Sequence, residues 1–256
     1  MSPDRPTFSI CIPTYEMKGF GPAFLDQALA SVARQTYSDF EVVISDHSQD
    51  HGVLAIYQKW SSQLPIRYFP LANHCNGSEN VNYTLSHATG RFIKILFLDD
   101  LFYPDDALGK YAQILSENPH RWMAAGCIHA NRDLTQYYRP HHPRFHSEIV
   151  YGKNTLGAPS VIAFPNTDLR FDPRLIWLMD CEFYHRLFLT YGPPICISDP
   201  LIVIRQWEGA MTNSDATTRV RNAEYALVES MYPKPVSGWK KWKTLFRKNA
   251  PAYPTK

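Results

Sequence analysis

The sequence lacks any run of 18 apolar residues, the length that a membrane-spanning helix needs. Its N-terminal stretch, MSPDRPTFSICIPTYE, contains prolines and no long apolar segment, so it predicts no signal peptide. A strong excess of charge of either sign is also absent, because the formal net charge is only +2. Without a broad positive field, nucleic acid is not an expected partner.

Cysteine motifs and a glycine fingerprint are missing as well. The five cysteines form no CxxC pair and no Cys/His cluster, which argues against a disulfide framework or a zinc site. Reduced thiols in a cytoplasmic protein are expected instead. After the first apolar run the chain reads PTYEMKGFG, which lacks GxGxxG. A dinucleotide-dependent oxidoreductase is therefore a poor interpretation.

Alternating strand and helix patterns fill the chain. Its 256 residues, 45% of them apolar, suit one large α/β domain. Short apolar runs at 8–12, 40–45, 66–69 and 92–98 predict strands, with helical periodicity at 24–35, 53–60 and 79–88 between them. This order predicts βαβ units, a parallel sheet, and a ligand site beyond the carboxyl ends of the strands.

The second part of the chain has a less regular pattern. Strands are expected at 123–130, 160–164 and 200–204, and helices at 105–115, 178–191 and 217–231. The segment 133–149, rich in His, Arg and Tyr, predicts a long loop or a hairpin over the cleft.

Two carboxylates, Asp99 and Asp100, directly follow the most apolar predicted strand, FIKILFL. Burying such a pair without a cation is costly. Mg²⁺ or Mn²⁺ accepts one or two protein carboxylates and takes phosphate oxygens for its other ligands. The pair therefore predicts a metal–diphosphate site. The alternative is that both are exposed turn residues that bind no metal.

Four segments in order resemble glycosyltransferase family 2, and in particular its bacterial members that build cell-surface polysaccharides. They are SICIPTYE, LASVARQTYSDFEVVISDHSQD, NGSENVNYTLSHATGRFIKILFLDD and WLMDCEFYHRL. The resemblance implies a GT-A fold, with a Rossmann-like, mostly parallel central sheet flanked by helices and a C-terminal acceptor-side portion. It implies one glycosyltransferase domain over 1–235, with a nucleotide-binding half at about 1–115 and an acceptor half at about 116–235.

The resemblance also implies roles for particular residues. Asp100 matches the metal ligand and Asp180 the catalytic base, whereas the residues alone favour Asp180 as the cap of the helix that follows. Arg205 matches a late arginine that could hold the diphosphate. The expected nucleotide-binding residues are Pro13, Thr14, Tyr15, Glu16, Asp46, Asp99 and Arg205. The expected acceptor or lid residues are Glu182, Trp207 and Ser160.

The implied activity is inverting transfer of a sugar from a UDP- or dTDP-sugar to a hydroxyl of a glycan or lipid-linked acceptor, assisted by Mn²⁺ or Mg²⁺. The chain departs from the family pattern at four places: Asp46-His47-Ser48 stands where DDGS is frequent, Phe97 and Met179 stand where acids are usual, and Trp207 stands where a His is frequent. The alternative left open is a catalytically inactive nucleotide-sugar-binding or scaffold protein of the same fold.

The C-terminal segment 236–256 has its own composition. Trp239, Trp242, Leu245 and Phe246 recur at helical spacing among basic residues. Two interpretations stay open: a helix on an anionic membrane surface, or a helix packed on the domain. The first would make the protein peripheral on the inner face of the plasma membrane.

Overall fold

Nine strands and six α-helices make up the described part of the chain, which comprises residues 5–72, 75–210 and 217–233 of this computed structural model. The strands are β1 Phe8–Thr14, β2 Phe40–Asp46, β3 Ile66–Pro70, β4 Phe92–Ile95, β5 Leu101–Phe102, β6 Met123–Asn131, β7 Tyr137–His141, β8 Ile162–Pro165 and β9 Ile195–Gln206. The helices are α1 Gly21–Ala33, α2 Gly52–Trp60, α3 Gly77–Ser86, α4 Ala107–Glu117, α5 Met179–Tyr191 and α6 Thr217–Met231.

The first four strands form the predicted parallel sheet, in the order β3-β2-β1-β4. Every residue of β1 is buried, as expected for a central strand with helices on both faces. Because parallel strands end at the same edge, the residues after β1, β2 and β4 meet there. The α/β prediction, with helices flanking this sheet, is confirmed.

The later strands extend the same sheet with mixed pairing. β8 lies antiparallel between β4 and β6, β6 pairs in parallel with β9, and the short β5 pairs antiparallel with β9. The two predicted halves of the domain therefore share one sheet, because β5 of the first half pairs with a strand of the second.

Two element predictions need adjustment, and one open alternative is decided. The strand predicted at 92–98 ends at Ile95, and the chain then turns to bring the two aspartates to the sheet edge. β9 begins at Ile195, before the position expected from the apolar run at 200–204. Within 133–149, β7 pairs antiparallel with β6, so the hairpin alternative was the right one there.

The five cysteines are all free thiols, as predicted. No helix in the described ranges is long and apolar enough to cross a bilayer. The basic aromatic tail, 236–256, lies outside the described residues, so both interpretations of it stay predictions.

Candidate active site

A cleft of about 610 Å³ opens at the carboxyl ends of the parallel strands. This volume suits a small-molecule site. Six of the predicted residues line it: Pro13, Tyr15, Asp99, Asp100, Asp180 and Arg205. A smaller hollow of about 270 Å³, beside α1 and β5, contains none of the predicted site residues.

Asp100 is held rigidly at the floor of this cleft. It is 3% exposed, with the Ser160 hydroxyl donating to Oδ2 at 2.5 Å and the Arg205 backbone amide to Oδ1 at 3.2 Å. Burial, and then the neighbouring Asp99, raise the pKa of Asp100 well above its usual value. Ser160, predicted on the acceptor side, is fully buried and orients Asp100 instead of facing an acceptor.

A buried lysine, Lys94, lies close enough to Asp100 to feel its charge. Lys94 on β4 is fully buried, and its Nζ donates to the carbonyl oxygens of Ile95, at 2.7 Å, and of Ser160. Burial lowers the pKa of Lys94 to about 7. Sequence reasoning missed Lys94, because an isolated lysine in an apolar strand does not reveal which loop it will contact.

Asp99 is oriented by Trp207. The indole Nε1 donates to Asp99 Oδ2 at 3.1 Å, and the ring packs edge-on against Phe20 and Phe24. Trp207 is 5% exposed, so it forms part of the packed wall. The predicted stacking on a sugar face, or movement as a lid, does not match this buried position. Burial also raises the pKa of Asp99.

Arg205 lines the cleft but directs its donors inward. Nε donates to the Asp99 carbonyl at 2.9 Å, Nη2 to Gln27 Oε1 at 2.7 Å, and Nη1 to the Arg132 carbonyl. The guanidinium also lies over the Phe24 ring, 4.3 Å from its centroid. These contacts support the loop that carries Asp99. The sequence predicted instead that the planar guanidinium of Arg205 would hold the diphosphate.

The aspartate pair suits a hard divalent cation. In the described ranges, no three His, Cys, Asp or Glu side chains cluster as potential metal ligands. Mg²⁺ and Mn²⁺ do not need a full protein cage, because water and phosphate oxygens complete their ligand shell. Two buried carboxylates with raised pKa values at the edge of the cleft fit that arrangement, since a cation would relieve the cost of their burial.

Asp180 faces the same cleft from the first turn of α5. Its Oδ2 accepts from Asn154 Nδ2 at 2.7 Å, and its Oδ1 from the Cys181 backbone amide at 2.7 Å. Burial raises the pKa of Asp180 to about 6, although both hydrogen bonds lower it. Leu178, not Asp180, occupies the N-cap position. Asn154 was not singled out in the sequence, since it lies in an irregular stretch.

The remaining nucleotide-site candidates lie beside the cleft but do not line it. Thr14 is fully buried and donates to the Ser45 carbonyl at 2.8 Å. Asp46 accepts from the Tyr68 hydroxyl at 2.5 Å and from the Ser48 amide at 2.8 Å. The Glu16 carbonyl accepts the amides that begin the turn into α1. These contacts fix the loop that presents Pro13 and Tyr15.

Glu182 is not among the residues that line the cleft. It is 1% exposed and accepts two hydrogen bonds from Arg186, at 2.6 and 2.7 Å, and one from the Tyr232 hydroxyl at 2.7 Å. Two residues beyond Asp180 on a helix, it points to a different face. Its contacts tie α5 to the end of α6, which differs from the acceptor or lid role expected from the sequence.

Comparison with known proteins identifies the family. The model described as glycosyl transferase family 2 matches residues 9–191. The chain belongs to this family. A PGL/p-HBAD biosynthesis glycosyltransferase of Mycobacterium bovis is 34% identical over 117 residues, which is 44% of this chain and 43% of the relative. A glycosyltransferase of Haemophilus influenzae is 28% identical over 159 residues, covering 60% and 51%. The matches thus span about half the length of these relatives.

Solved structures of this type share the fold. TarS of S. aureus in complex with UDP-GlcNAc superposes with a TM-score of 0.68 at 20% identity, covering 88% of this chain and 66% of TarS. The mannosyltransferase PcManGT of Pyrobaculum calidifontis, in complex with GDP-Man and Mn²⁺, gives 0.54 at 20% identity, covering 76% and 57%. At such identities the likeness establishes the fold, and the predicted GT-A fold is confirmed.

Proposed function

We propose that this family 2 chain is an inverting glycosyltransferase that moves a sugar from a UDP- or dTDP-sugar to a hydroxyl of a glycan or lipid-linked acceptor in surface polysaccharide synthesis. The observation that carries the proposal is the meeting of two distant segments. The Asp99–Asp100 pair and Asp180 stand about eighty positions apart in sequence, yet all three line one cleft.

The aspartate pair is the proposed diphosphate side of the cleft. Asp100, steadied by Ser160, would hold Mn²⁺ or Mg²⁺, with Asp99 beside it. Such an ion, when bound, stabilises the negative charge that grows on the departing nucleoside diphosphate. Pro13 and Tyr15, at the end of β1, line the cleft where the nucleoside would lie. Thr14, Glu16 and Asp46 would act by supporting that loop.

Asp180 is the proposed general base. With a pKa of about 6, it is mostly ionised at neutral pH and still basic enough to accept a proton. Inversion requires the acceptor hydroxyl to attack the anomeric carbon opposite the leaving phosphate. As that C–O bond forms, the hydroxyl proton passes to a carboxylate oxygen of Asp180. Asn154 holds the carboxylate in place.

The named ligands of the structural relatives support a nucleotide-sugar donor. TarS has been solved with UDP and with UDP-GlcNAc, and PcManGT with GDP-Man and Mn²⁺. The two relatives carry different bases, so the base of this chain's donor has to be measured. Attachment to the inner face of the plasma membrane, through 236–256, is proposed from sequence alone.

A catalytically inactive nucleotide-sugar-binding protein is the second candidate. It is favoured by Met179, which stands where the family pattern has an acid and leaves one carboxylate at the proposed base, and by Trp207, which stands where a His is frequent. This candidate predicts nucleotide binding without turnover.

The decisive binding experiment is calorimetric titration of UDP, dTDP and GDP, with Mn²⁺ and then with EDTA. Micromolar binding of one nucleotide that requires both Mn²⁺ and Asp100, and is lost in Asp100→Ala, would support the site. The exposed Asp106→Ala serves as a control that should bind normally. Absence of binding to all three nucleotides would contradict the metal–diphosphate proposal.

A further inference from the structure

One buried carboxylate outside the cleft holds the segment that leads into α5. Glu224 of α6 is 4% exposed. Its two oxygens accept from three consecutive backbone amides: Ile176 at 2.8 Å, Trp177 at 2.9 and 3.1 Å, and Leu178 at 2.8 Å. Hydrogen bonds from amides to an ionised carboxylate are among the stronger ones in proteins.

The segment that Glu224 holds is part of the cleft. Residues 176–180, which we call the Asp180 wall, all line it. Asp180 lies only two positions beyond the last amide that Glu224 accepts. A displacement of the wall backbone would therefore move the carboxylate of Asp180 directly.

Further contacts hold the wall and the residue before it. The Arg221 guanidinium of α6 stacks on Trp177 at 3.5 Å from the ring centroid. Just before the wall, the Ser78 hydroxyl of α3 donates to the Leu175 carbonyl at 2.7 Å. Side chains of α3 and α6 thus both hold this stretch of chain, and the Glu224 carboxylate accepts the three backbone amides within the wall.

We propose that Glu224 is a positioning residue that sets the Asp180 wall and, through it, the geometry of proton acceptance and acceptor binding. The inference rests on the proposed function, because transfer to an acceptor is its main readout. Helix α6 thereby helps to shape the acceptor side of the cleft. The Asp99–Asp100 side is held separately, by Ser160, Trp207 and Arg205.

Glu224→Gln is the sharpest variant. It keeps the shape of the side chain but replaces one acceptor oxygen with an NH₂ group that faces backbone donors, so at least one of the hydrogen bonds is lost. Misplacement of a reacting group by about 1 Å can cost on the order of 100-fold in rate. We expect kcat/KM for the acceptor to fall about 10- to 100-fold, with the Kd of the nucleotide in Mn²⁺ unchanged. Glu229→Gln, exposed on the same helix, is the matched control.

The proposal is tested by comparing the change in kcat/KM for the acceptor with the change in nucleotide Kd in Glu224→Gln. Wild-type kcat/KM in Glu224→Gln would overturn it. An equal loss of nucleotide affinity would also overturn it, since that result indicates general disruption of the fold. Circular dichroism and thermal unfolding of both variants verify that they fold.

Amide hydrogen exchange separates this inference from the proposed function. Peptides covering 175–180 should exchange faster in Glu224→Gln than in wild type and in Glu229→Gln, because the three amides lose their acceptor. If wild-type protein catalyses no transfer, the proposed function fails, and faster exchange still supports the positioning of the wall by Glu224. Unchanged exchange would overturn the positioning role whatever the activity.

Discussion

Among single residues, Asp180 matters most to the proposed reaction, through the protonation of its carboxyl group. A base must be ionised to accept a proton, so kcat/KM should rise with pH through the pKa of that carboxyl, about 6. Burial raises this pKa, and the hydrogen bonds from Cys181 and Asn154 oppose the rise. We therefore expect burial and these two hydrogen bonds together to set the acidic limb of the pH profile.

Asn154→Ala should move that limb to higher pH. The Asn154 amide donates to the charged carboxylate at 2.7 Å and stabilises it, so its removal raises the pKa of Asp180. A hydrogen bond to a charged group contributes about 1.5–3 kcal/mol, and about 1.4 kcal/mol corresponds to one pKa unit. We therefore expect the acidic limb of the kcat/KM pH profile to move up by about one pH unit. Asn118→Ala, at the end of α4, should leave the limb in place, and an unshifted limb in Asn154→Ala would argue against Asp180 as the base.

Ser160→Ala should weaken the proposed metal site without removing a ligand. Its hydroxyl donates to Asp100 at 2.5 Å and accepts from the Phe97 amide at 2.9 Å. Loss of a group that orients a metal ligand typically costs about 10- to 100-fold in metal affinity. The Kd for Mn²⁺ in the presence of nucleotide should rise by at least about tenfold, measured by calorimetry. The exposed Ser116→Ala is the control, and an unchanged Kd in Ser160→Ala would refute the orienting role.

At the scale of elements, the pairing of β6 with β9 brings two backbones unusually close. A Cβ at Gly126 would lie 2.4 Å from the Ser198 carbonyl oxygen and 2.9 Å from that of Asp199. The register of this parallel pair also shifts on both sides of Gly126. Glycine is therefore required here by the approach of β9, which carries Arg205 to the cleft.

Gly126→Ala should destabilise the protein by several kcal/mol, because either strand must move to relieve the clash. Gly109→Ala is the matched control: its Cβ would meet only Tyr37 Cβ, at 3.9 Å. Since Gly109 lies inside α4, that change should stabilise the fold by about 0.5–1 kcal/mol. Thermal or urea unfolding measures both. Equal stability of the two variants would contradict the strand geometry described.

Hydrophobic patterning predicted the elements that follow simple periodicity and missed those that depend on tertiary pairing. β1 and β2 are buried runs bounded by turns, and the pattern located them. Helix α3 begins at Gly77, two residues before the predicted start, although the capping box of Asn76 and Glu79 is a recognisable signal. β5 has only two residues, too few for a periodic signal, and forms because β9 lies alongside it.

Across the whole molecule, the motifs predicted residues that line the cleft but not the residues that hold them in place. Asp99, Asp100 and Asp180 lie within recognisable segments, so resemblance to the family could indicate them. Lys94, Asn154 and Glu224 could not be found in this way, because each acts on a residue far away in sequence. Trp207 and Ser160 were noted as candidates, but their burial, and thus their orienting contacts, depends on the folded sheet.

Glycosyl transfer with Asp180 as the base is tested most directly by measuring turnover of wild type and Asp180→Asn in Mn²⁺, with the donor sugar whose nucleotide binds. Release of nucleoside diphosphate and formation of product would be followed together, with the anomeric configuration read by NMR. We expect transfer with inversion by the wild type. In Asp180→Asn we expect kcat to fall at least about 100-fold, the size of a general-base contribution, with nucleotide affinity retained. Nucleotide binding without transfer by the wild type would instead favour the inactive binding protein, and undiminished turnover by Asp180→Asn would contradict the role given to Asp180.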